Sequence, residues 1–292
     1  MQESNVISKS NPVTICFPAR KGGVGKTTLT ANIAACYAND GKRVLVVGAD
    51  NQEDLSNIWC VNSPDAYDPM NHRSLADVLH NACRPEEAVY RTAEHPAFEY
   101  RETPFFRHST RRRIQGKTYH FDIMPAGRDI FECSIPDGNL NILKDKLAPL
   151  MNTYDVVLFD IPTAPYDSTM LIYACTKYAF VPVTDVASFG SASQTTDEVA
   201  YIRSLGYPMQ IMGFIVNCAD SRDGSLGQSL EEMFRSQAGV PVLSHTLRQS
   251  MLIRNAACYG IPLISYDTWG PQSADMYNLY KEIRGMIGKE ES

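Results

Sequence analysis

The chain patterns as an α/β protein: a mostly parallel twisted sheet flanked by helices on both faces. Three observations carry that expectation. Short β-branched, apolar runs alternate with helical patterns along the 292 residues. The run Asp155–Ile161 is apolar at almost every position, as a strand covered on both faces must be. A glycine-rich turn sits between the first strand-like run and the first helical one.

The elements follow in order. Val13–Phe17 reads as a strand and Lys26–Asn39 as a helix with Leu29, Ile33 and Cys36 on one face. Arg43–Val47 is a second strand, and helical pieces lie around Leu55–Trp59 and Ser74–Asn81. His120–Pro125 is a strand, Leu140–Met151 a helix and Asp155–Ile161 a strand. Tyr178–Val183, Ile211–Asn217 and Val240–Ser244 continue the strand series. Helices are expected at about Ser191–Ser204, Ser225–Ser236 and Ser273–Ile287. No repeat, low-complexity tract or Pro/Gly linker divides the chain, so a single domain over residues 1–292 is expected, with 1–11 as a flexible polar tail.

Composition bounds the function. The chain is 44% hydrophobic and 21% charged, too apolar and too balanced for a disordered protein. At this length a chain buries about 75% of its unfolded surface and needs no disulfide or metal staple. The net charge of −6 argues against a surface coated with basic charge. That charge is uneven. Residues 93–117 form a long connection without clear periodicity. Within it, Arg101–Lys117 holds six basic residues and one acidic, +5 in 17 residues, which leaves −11 on the rest. This basic insertion is either a solvated surface loop or a contact to phosphates or an acidic partner. The eight cysteines include no C-x-x-C and several lie in apolar segments, so they read as buried free thiols of a reducing cytosol. The start lacks the apolar core of a signal peptide, and no run approaches the ~20 apolar residues of a membrane helix.

The chemistry is concentrated in three segments. Arg20-Lys21-Gly22-Gly23-Val24-Gly25-Lys26-Thr27-Thr28 follows the first strand and opens the first helix. Its glycines let successive backbone N–H groups turn toward β- and γ-phosphates. Lys26 adds a point charge there, and the Thr27 hydroxyl can ligate Mg²⁺. Val46-Val47-Gly48-Ala49-Asp50-Asn51-Gln52 places Asp50 just after the second strand. Tyr154–Asp160 is an apolar strand ending in Asp160, and a carboxylate there lies beside the phosphates and can hold Mg²⁺.

The first segment departs from the strict G-x-x-x-x-G-K-[ST] pattern, whose first glycine falls on Arg20. It resembles the deviant Walker A motif of the ParA/MinD superfamily of P-loop ATPases, and the resemblance covers most of the chain. It implies that Lys21 reaches across a dimer to the partner's ATP. MinD-type members usually carry Gly before this lysine, whereas ParA-type partition proteins more often carry a polar residue, as Arg20 is. Gly48–Gln52 resembles the family's D-x-D-P-Q segment, with Asp50 at the second Asp, which orients the attacking water near Mg²⁺; Gly48 and Asn51 replace the first Asp and the Pro. Asp160-Ile161-Pro162-Thr163 resembles D-x-P-P, with Thr163 replacing the second Pro. Gly213–Asn217 resembles the strand ending in a residue that recognises adenine, here Asn217. Leu247-Arg248-Gln249 to Gly260-Ile261-Pro262 resembles the segment that closes over the base.

The resemblance implies ATP held by Lys21, Gly22, Gly23, Val24, Gly25, Lys26, Thr27, Thr28 and Asn217. Lys21, Lys26 and Asp50 would be catalytic, and Thr27, Asp160 and Asp50 would serve Mg²⁺. It implies a slow, partner-stimulated, Mg-dependent ATP hydrolase, cytoplasmic and nucleoid-associated when ATP-bound. An ATP-sandwich homodimer would bind DNA non-specifically and segregate plasmid or chromosomal DNA with a ParB-like centromere-binding adaptor. Arg222, in Asp220-Ser221-Arg222, matches a stretch whose arginine contributes to DNA binding; Arg248, Arg254 and Arg111, Arg112 and Arg113 are further candidates. The alternative is a MinD-like or ParA-like positioner of a protein or membrane-associated cargo. The C-terminal segment Tyr280–Ser292, with two glycines and an acidic tip, is a poor membrane anchor, so no stable membrane insertion is expected. An electron-transfer ATPase like the nitrogenase iron protein would need cysteine contexts that Cys133 and Cys175 lack.

Overall fold

Strand-sized runs of Val, Ile, Leu and Phe bury both their faces only if helices cover both sides of the sheet they form. The computed structural model, which describes residues 11–101, 110–185, 188–218, 232, 240–267 and 270–291, has that architecture. Its strands are β1 (Val13–Cys16), β2 (Val44–Gly48), β3 (Tyr90–Arg91), β4 (His95–Arg101), β5 (Thr110–Tyr119), β6 (Asp122–Met124), β7 (Val156–Asp160), β8 (Tyr178–Val183) and β9 (Gln210–Val216). A seven-stranded sheet runs β3-β6-β2-β7-β1-β8-β9. All its pairs are parallel except β3 with β6.

The helices are α1 (Lys26–Asn39), α2 (Asp54–Trp59), α3 (Leu75–Leu79), α4 (Ile142–Met151), α5 (Asp167–Cys175), α6 (Ser188–Ser204), α7 (Met251–Cys258), α8 (Leu263–Tyr266) and α9 (Pro271–Glu290). Alternate residues of each strand enter opposite cores. Ile15, Val44, Val46, Val156 and Leu158 face α1, α8 and α9, while Cys16, Leu45, Val47, Val157 and Phe159 face α4 and α5. Each such large side chain is worth roughly 1.5–3 kcal/mol when fully buried. The central strands are thereby pinned, and with them the ends of β1, β2, β7 and β8.

Three expectations change. On either side of 102–109, which lie outside the described residues, the connection is not irregular: His95–Arg101 pairs antiparallel with Thr110–Tyr119 as a two-stranded ribbon. Phe98 and Tyr100 alternate with Glu99 and Arg101, a period-two signal diluted by the arginine run that follows. The ribbon is clamped to the body. Asn39, at the end of α1, donates to the Phe98 carbonyl and accepts from the Phe98 N–H, both at 2.8 Å. The Tyr100 ring stacks on Tyr277 of α9 with centroids 3.5 Å apart and planes 10° from parallel. Val240–Ser244 is not a full strand; it contributes one parallel bridge, Val242 to Phe214. The cysteines are all free, but Cys218 and Cys258 are exposed and Cys83 is partly so. The helix expected over Ser225–Ser236 lies outside the described residues apart from Glu232. Among the described residues no helix is long and apolar enough to cross a membrane.

Candidate functional site

The C-terminal ends of β1, β2, β7, β8 and β9 bring the sequence motifs to one edge of the sheet. This is where open parallel sheets bind ligands. β1 runs into the glycine-rich loop, whose Gly23 and Gly25 adopt φ of 74° and 88°, the left-handed region. Gly25 is the N-cap of α1 and makes no side-chain cap hydrogen bond, and the start of a helix is an end that favours an anion. A Cβ built on Gly22 or Gly23 would meet nothing within 4 Å, so the loop forms an open cradle.

Lys26 is buried, and its Nζ donates to Thr163 Oγ1 at 2.8 Å. Burial pushes its pKa down, against the pull of the Asp160 and Asp50 carboxylates. Asp160 ends β7 and is 2% exposed. Burial raises its pKa to about 7, tempered by a hydrogen bond from Thr27. Among the described residues its Oδ1 has no hydrogen-bond partner. A buried, unpaired carboxylate oxygen beside a threonine hydroxyl is a donor set suited to a hard cation. Among the described residues no cluster of three His, Cys, Asp or Glu side chains could hold a metal alone. Mg²⁺ takes one or two protein oxygens and completes its shell with phosphate and water. The residues present therefore fit both a nucleotide phosphate tail and Mg²⁺.

Asp50 lies just beyond β2, half-buried, its Oδ1 accepting the Gln52 N–H at 3.1 Å in a turn closed by Glu53 N–H to the Asp50 carbonyl. It is near enough to bear on the charges of both Lys26 and Asp160. Gly48 pairs in register with Asp160. A Cβ there would come within 3.3 Å of the Ala126 backbone N and 3.4 Å of the Met124 carbonyl. A side chain at the position of the family's first Asp would press on this backbone, which would have to give by a few tenths of an ångström.

Lys21 does not point into the cradle. Its Nζ pairs with Asp185 Oδ2 at 2.6 Å, with Thr184 Oγ1 and Ser188 Oγ at 3.4 and 3.5 Å. The Lys21 side chain is about one-third exposed. The lysine, joined by hydrogen bonds from Ser188, holds the Asp185 carboxyl down to about 2. Asn217 is buried at the end of β9. Its Nδ2 donates to the Val24 carbonyl at 2.6 Å and its Oδ1 accepts the Cys218 N–H at 2.9 Å. Its amide thus braces the glycine-rich loop, and a Cβ on Gly25 would collide with it.

Several partners went unnoticed in the sequence: Asp185, Glu198, Glu53 and His72. Arg20 Nε binds Glu198 at 2.6 Å. Glu53, in the left-handed region at φ 55°, accepts from Gly127 N–H at 3.1 Å and pairs with His72 Nε2 at 2.8 Å. Asp185 follows the apolar strand β8 by two residues, a position that marks a polar strand end but not its pairing with Lys21.

The arginines proposed to meet DNA occupy separate elements. Arg222 lies outside the described residues. Arg248 is bound by Asp275 of α9 at 2.7–2.8 Å. Arg254 is exposed on α7. Arg112 and Arg113 are exposed on β5, and Arg111 sits there opposite Tyr100.

The profile of the CobQ/CobB/MinD/ParA nucleotide-binding domain matches residues 15–263. The chromosome partitioning protein ParA of Caulobacter vibrioides is 24% identical over 283 residues, covering 94% of this chain and 95% of its own. Among solved structures, the Cyanothece McdA(D38A)–ATP complex superposes with a TM-score of 0.70 at 17% identity, over 94% of this chain and 97% of its own. The septum site-determining protein MinD of Pyrococcus horikoshii, complexed with Mg-ADP, gives 0.68 at 22% identity, over 96% and 98%.

Proposed function

The chain belongs to the CobQ/CobB/MinD/ParA nucleotide-binding family, and we propose that within it the protein is a ParA-type ATPase that pairs around ATP, binds DNA in the paired state and moves DNA cargo with a ParB-like adaptor. The observation that carries this reading is the split between its two lysines. Lys26 is buried in the cradle, whereas Lys21, five residues earlier on the same loop, is turned outward to Asp185. A cation held at the rim is placed to serve phosphates outside its own site, such as those bound by a second copy. Trans-acting cations that stabilise a phosphoryl-transfer transition state are worth about 10³–10⁵ in rate.

The residues divide the work by position. The loop N–H groups and Lys26 orient the phosphate tail and neutralise its charge. Phosphoryl transfer depends chiefly on such positioning and electrostatics. Asp50, held in its turn, orients the attacking water. Mg²⁺ would neutralise charge building between the β- and γ-phosphates, with Thr27 and Asp160 as the residues to hold it and Asp50 close by. Asn217 keeps Gly25 and Val24 in place and has one amide hydrogen left for a base. The basic ribbon and Arg254 offer phosphate contacts that a dimer would double; each phosphate neutralised steepens the log–log salt dependence of binding by ~0.9.

The test is self-association and duplex binding with ATP, ADP and no nucleotide, across salt, for the wild type and Lys21→Ala. The reading expects an ATP-dependent dimer and ATP-dependent, salt-sensitive binding to random-sequence duplex, both lost in Lys21→Ala while nucleotide binding persists. An ATP dimer of unchanged stability in Lys21→Ala refutes the trans lysine. Absence of DNA binding in every state points instead to a positioner of protein or membrane-associated cargo.

A further inference from the structure

Two substitutions, one against the strict phosphate-loop motif and one against the family pattern, touch each other. Arg20 stands where the strict phosphate-loop motif has glycine, and Thr163 where the family has its second proline. The Arg20 side chain is only 9% exposed. Its Nε donates to Glu198 of α6 at 2.6 Å and its Nη1 to the Thr163 carbonyl at 3.1 Å. Tyr173 of α5 also donates to Glu198, at 3.4 Å. The hydroxyl of the same Thr163 accepts from Lys26 Nζ at 2.8 Å. Among the described residues Arg20 Nη2 is buried without a partner.

We propose that Arg20 and Thr163 form a rest for the phosphate-loop lysine: Arg20 positions Thr163, and the Thr163 hydroxyl stands in for a phosphate oxygen on Lys26 until nucleotide displaces it. The inference rests on the ATP reading of the site. Its physical basis is the cost of a buried ammonium. Lys26 has left water and needs an acceptor in the nucleotide-free chain. A proline at 163 could not supply one from its side chain, whereas a threonine hydroxyl can. A hydroxyl is useful only if held within reach, and the planar guanidinium does this by gripping the carbonyl of the same residue while anchored to α6. Arg20 is a positioning residue here, since it acts on Lys26 only through Thr163.

The rest stabilises the empty site and not the filled one, so removing it should tighten nucleotide binding. A hydrogen bond to a charged group is strong enough that its loss from the empty state alone should tighten ADP about tenfold. The experiment is calorimetric titration of the full chain with Mg-ADP for the wild type, Thr163→Val, Thr163→Ser, Arg20→Met and the double variant Arg20→Met/Thr163→Val, with hydrogen exchange of the backbone around Thr163 in the nucleotide-free protein. The expected result has four parts. Thr163→Val binds ADP about tenfold tighter. Thr163→Ser, which keeps the hydroxyl, binds like the wild type. Thr163→Val adds little once Arg20→Met is present. Exchange around Thr163 rises in Arg20→Met.

Equal affinity of Thr163→Val and wild type overturns the proposal, as does an undiminished Thr163→Val effect in the Arg20→Met background. If Arg20→Met fails to fold, the Val–Ser comparison decides alone. A wild-type chain that does not bind Mg-ADP overturns the ATP reading, and the rest with it; a wild type that binds while Thr163→Val matches it overturns the rest alone.

Discussion

His72 and Glu53 predict a pH dependence that the wild type should show and a single substitution should erase. Both ring nitrogens of His72 face acceptors: Nε2 lies 2.8 Å from Glu53 Oε1, and Nδ1 lies 3.0 Å from the Asp68 carbonyl. The two side chains are 6% and 3% exposed. A neutral imidazole carries one N–H and can serve only one of two acceptors, so the full arrangement needs the imidazolium. Burial alone would push the His72 pKa down. The Glu53 hydrogen bond and charge, the Asp68 carbonyl and the Asp77 carboxylate outweigh it, and the net shift is upward. A group whose pKa is raised on folding stabilises the fold fully below its unfolded value, about 6.5 for histidine, and loses that contribution as pH rises through the folded value. The loss is what that hydrogen bond contributes beyond the burial cost opposing it, about 1 kcal/mol. At about 2 °C of melting temperature per kcal/mol for a chain of this size, the wild type should lose about 2 °C above the folded pKa. Thermal melts of wild type and His72→Gln should therefore converge as pH rises above about 6.5, since the glutamine does not titrate. The other histidines titrate equally in both proteins and cancel. Parallel melting curves across that window would refute the imidazolium assignment.

Other perturbations test other contacts. Asn39→Ala strips both hydrogen bonds from the buried backbone of Phe98 and should cost about 2–5 kcal/mol in urea unfolding, with raised exchange at the Phe98 amide; a loss under about 1 kcal/mol would mean that the ribbon is not held there. Asp185→Asn weakens a half-exposed ion pair, so stability should change by less than about 1 kcal/mol while ATP-dependent self-association, read by light scattering, rises. A large stability loss with association unchanged would contradict Lys21 as the mobile group. Asp50→Ala should keep nucleotide binding and lose turnover, and normal phosphate release in that variant would remove Asp50 from the reaction.

The parts of the site legible in the sequence are those whose chemistry is local. Gly22 to Thr28 is a contiguous run from the glycine-rich loop into the first turn of α1, and its left-handed glycines and open cradle follow from that run alone. Asp160 is legible because an apolar parallel strand has one polar end. The partner of Lys21 was not legible, because Asp185 lies 164 residues away and meets it only after β1 and β8 pair. Gly48 shows the same limit from the other side. Its substitution for a carboxylate was visible, but not that the backbone of Met124 and Ala126 crowds the position.

The sequence by itself determined the central strands β1, β2, β6, β7, β8 and β9, the helices α1, α4, α6 and α9, the glycine-rich loop and the strand-end Asp160, because periodicity and loop composition act over a few residues; it passed over α5 and the β4–β5 ribbon. Tertiary structure alone decided which way each cation turns. Lys26 points inward because Thr163, Asp160 and Asp50 surround its buried ammonium, and Lys21 points outward because Asp185 offers a charge at the rim. It likewise made a clamped ribbon of the basic segment, through Asn39 and the Tyr100–Tyr277 stack. These choices rest on pairings between distant strands and helices, and a charge or an aromatic ring takes its direction from whichever neighbour the sheet brings within a few ångströms.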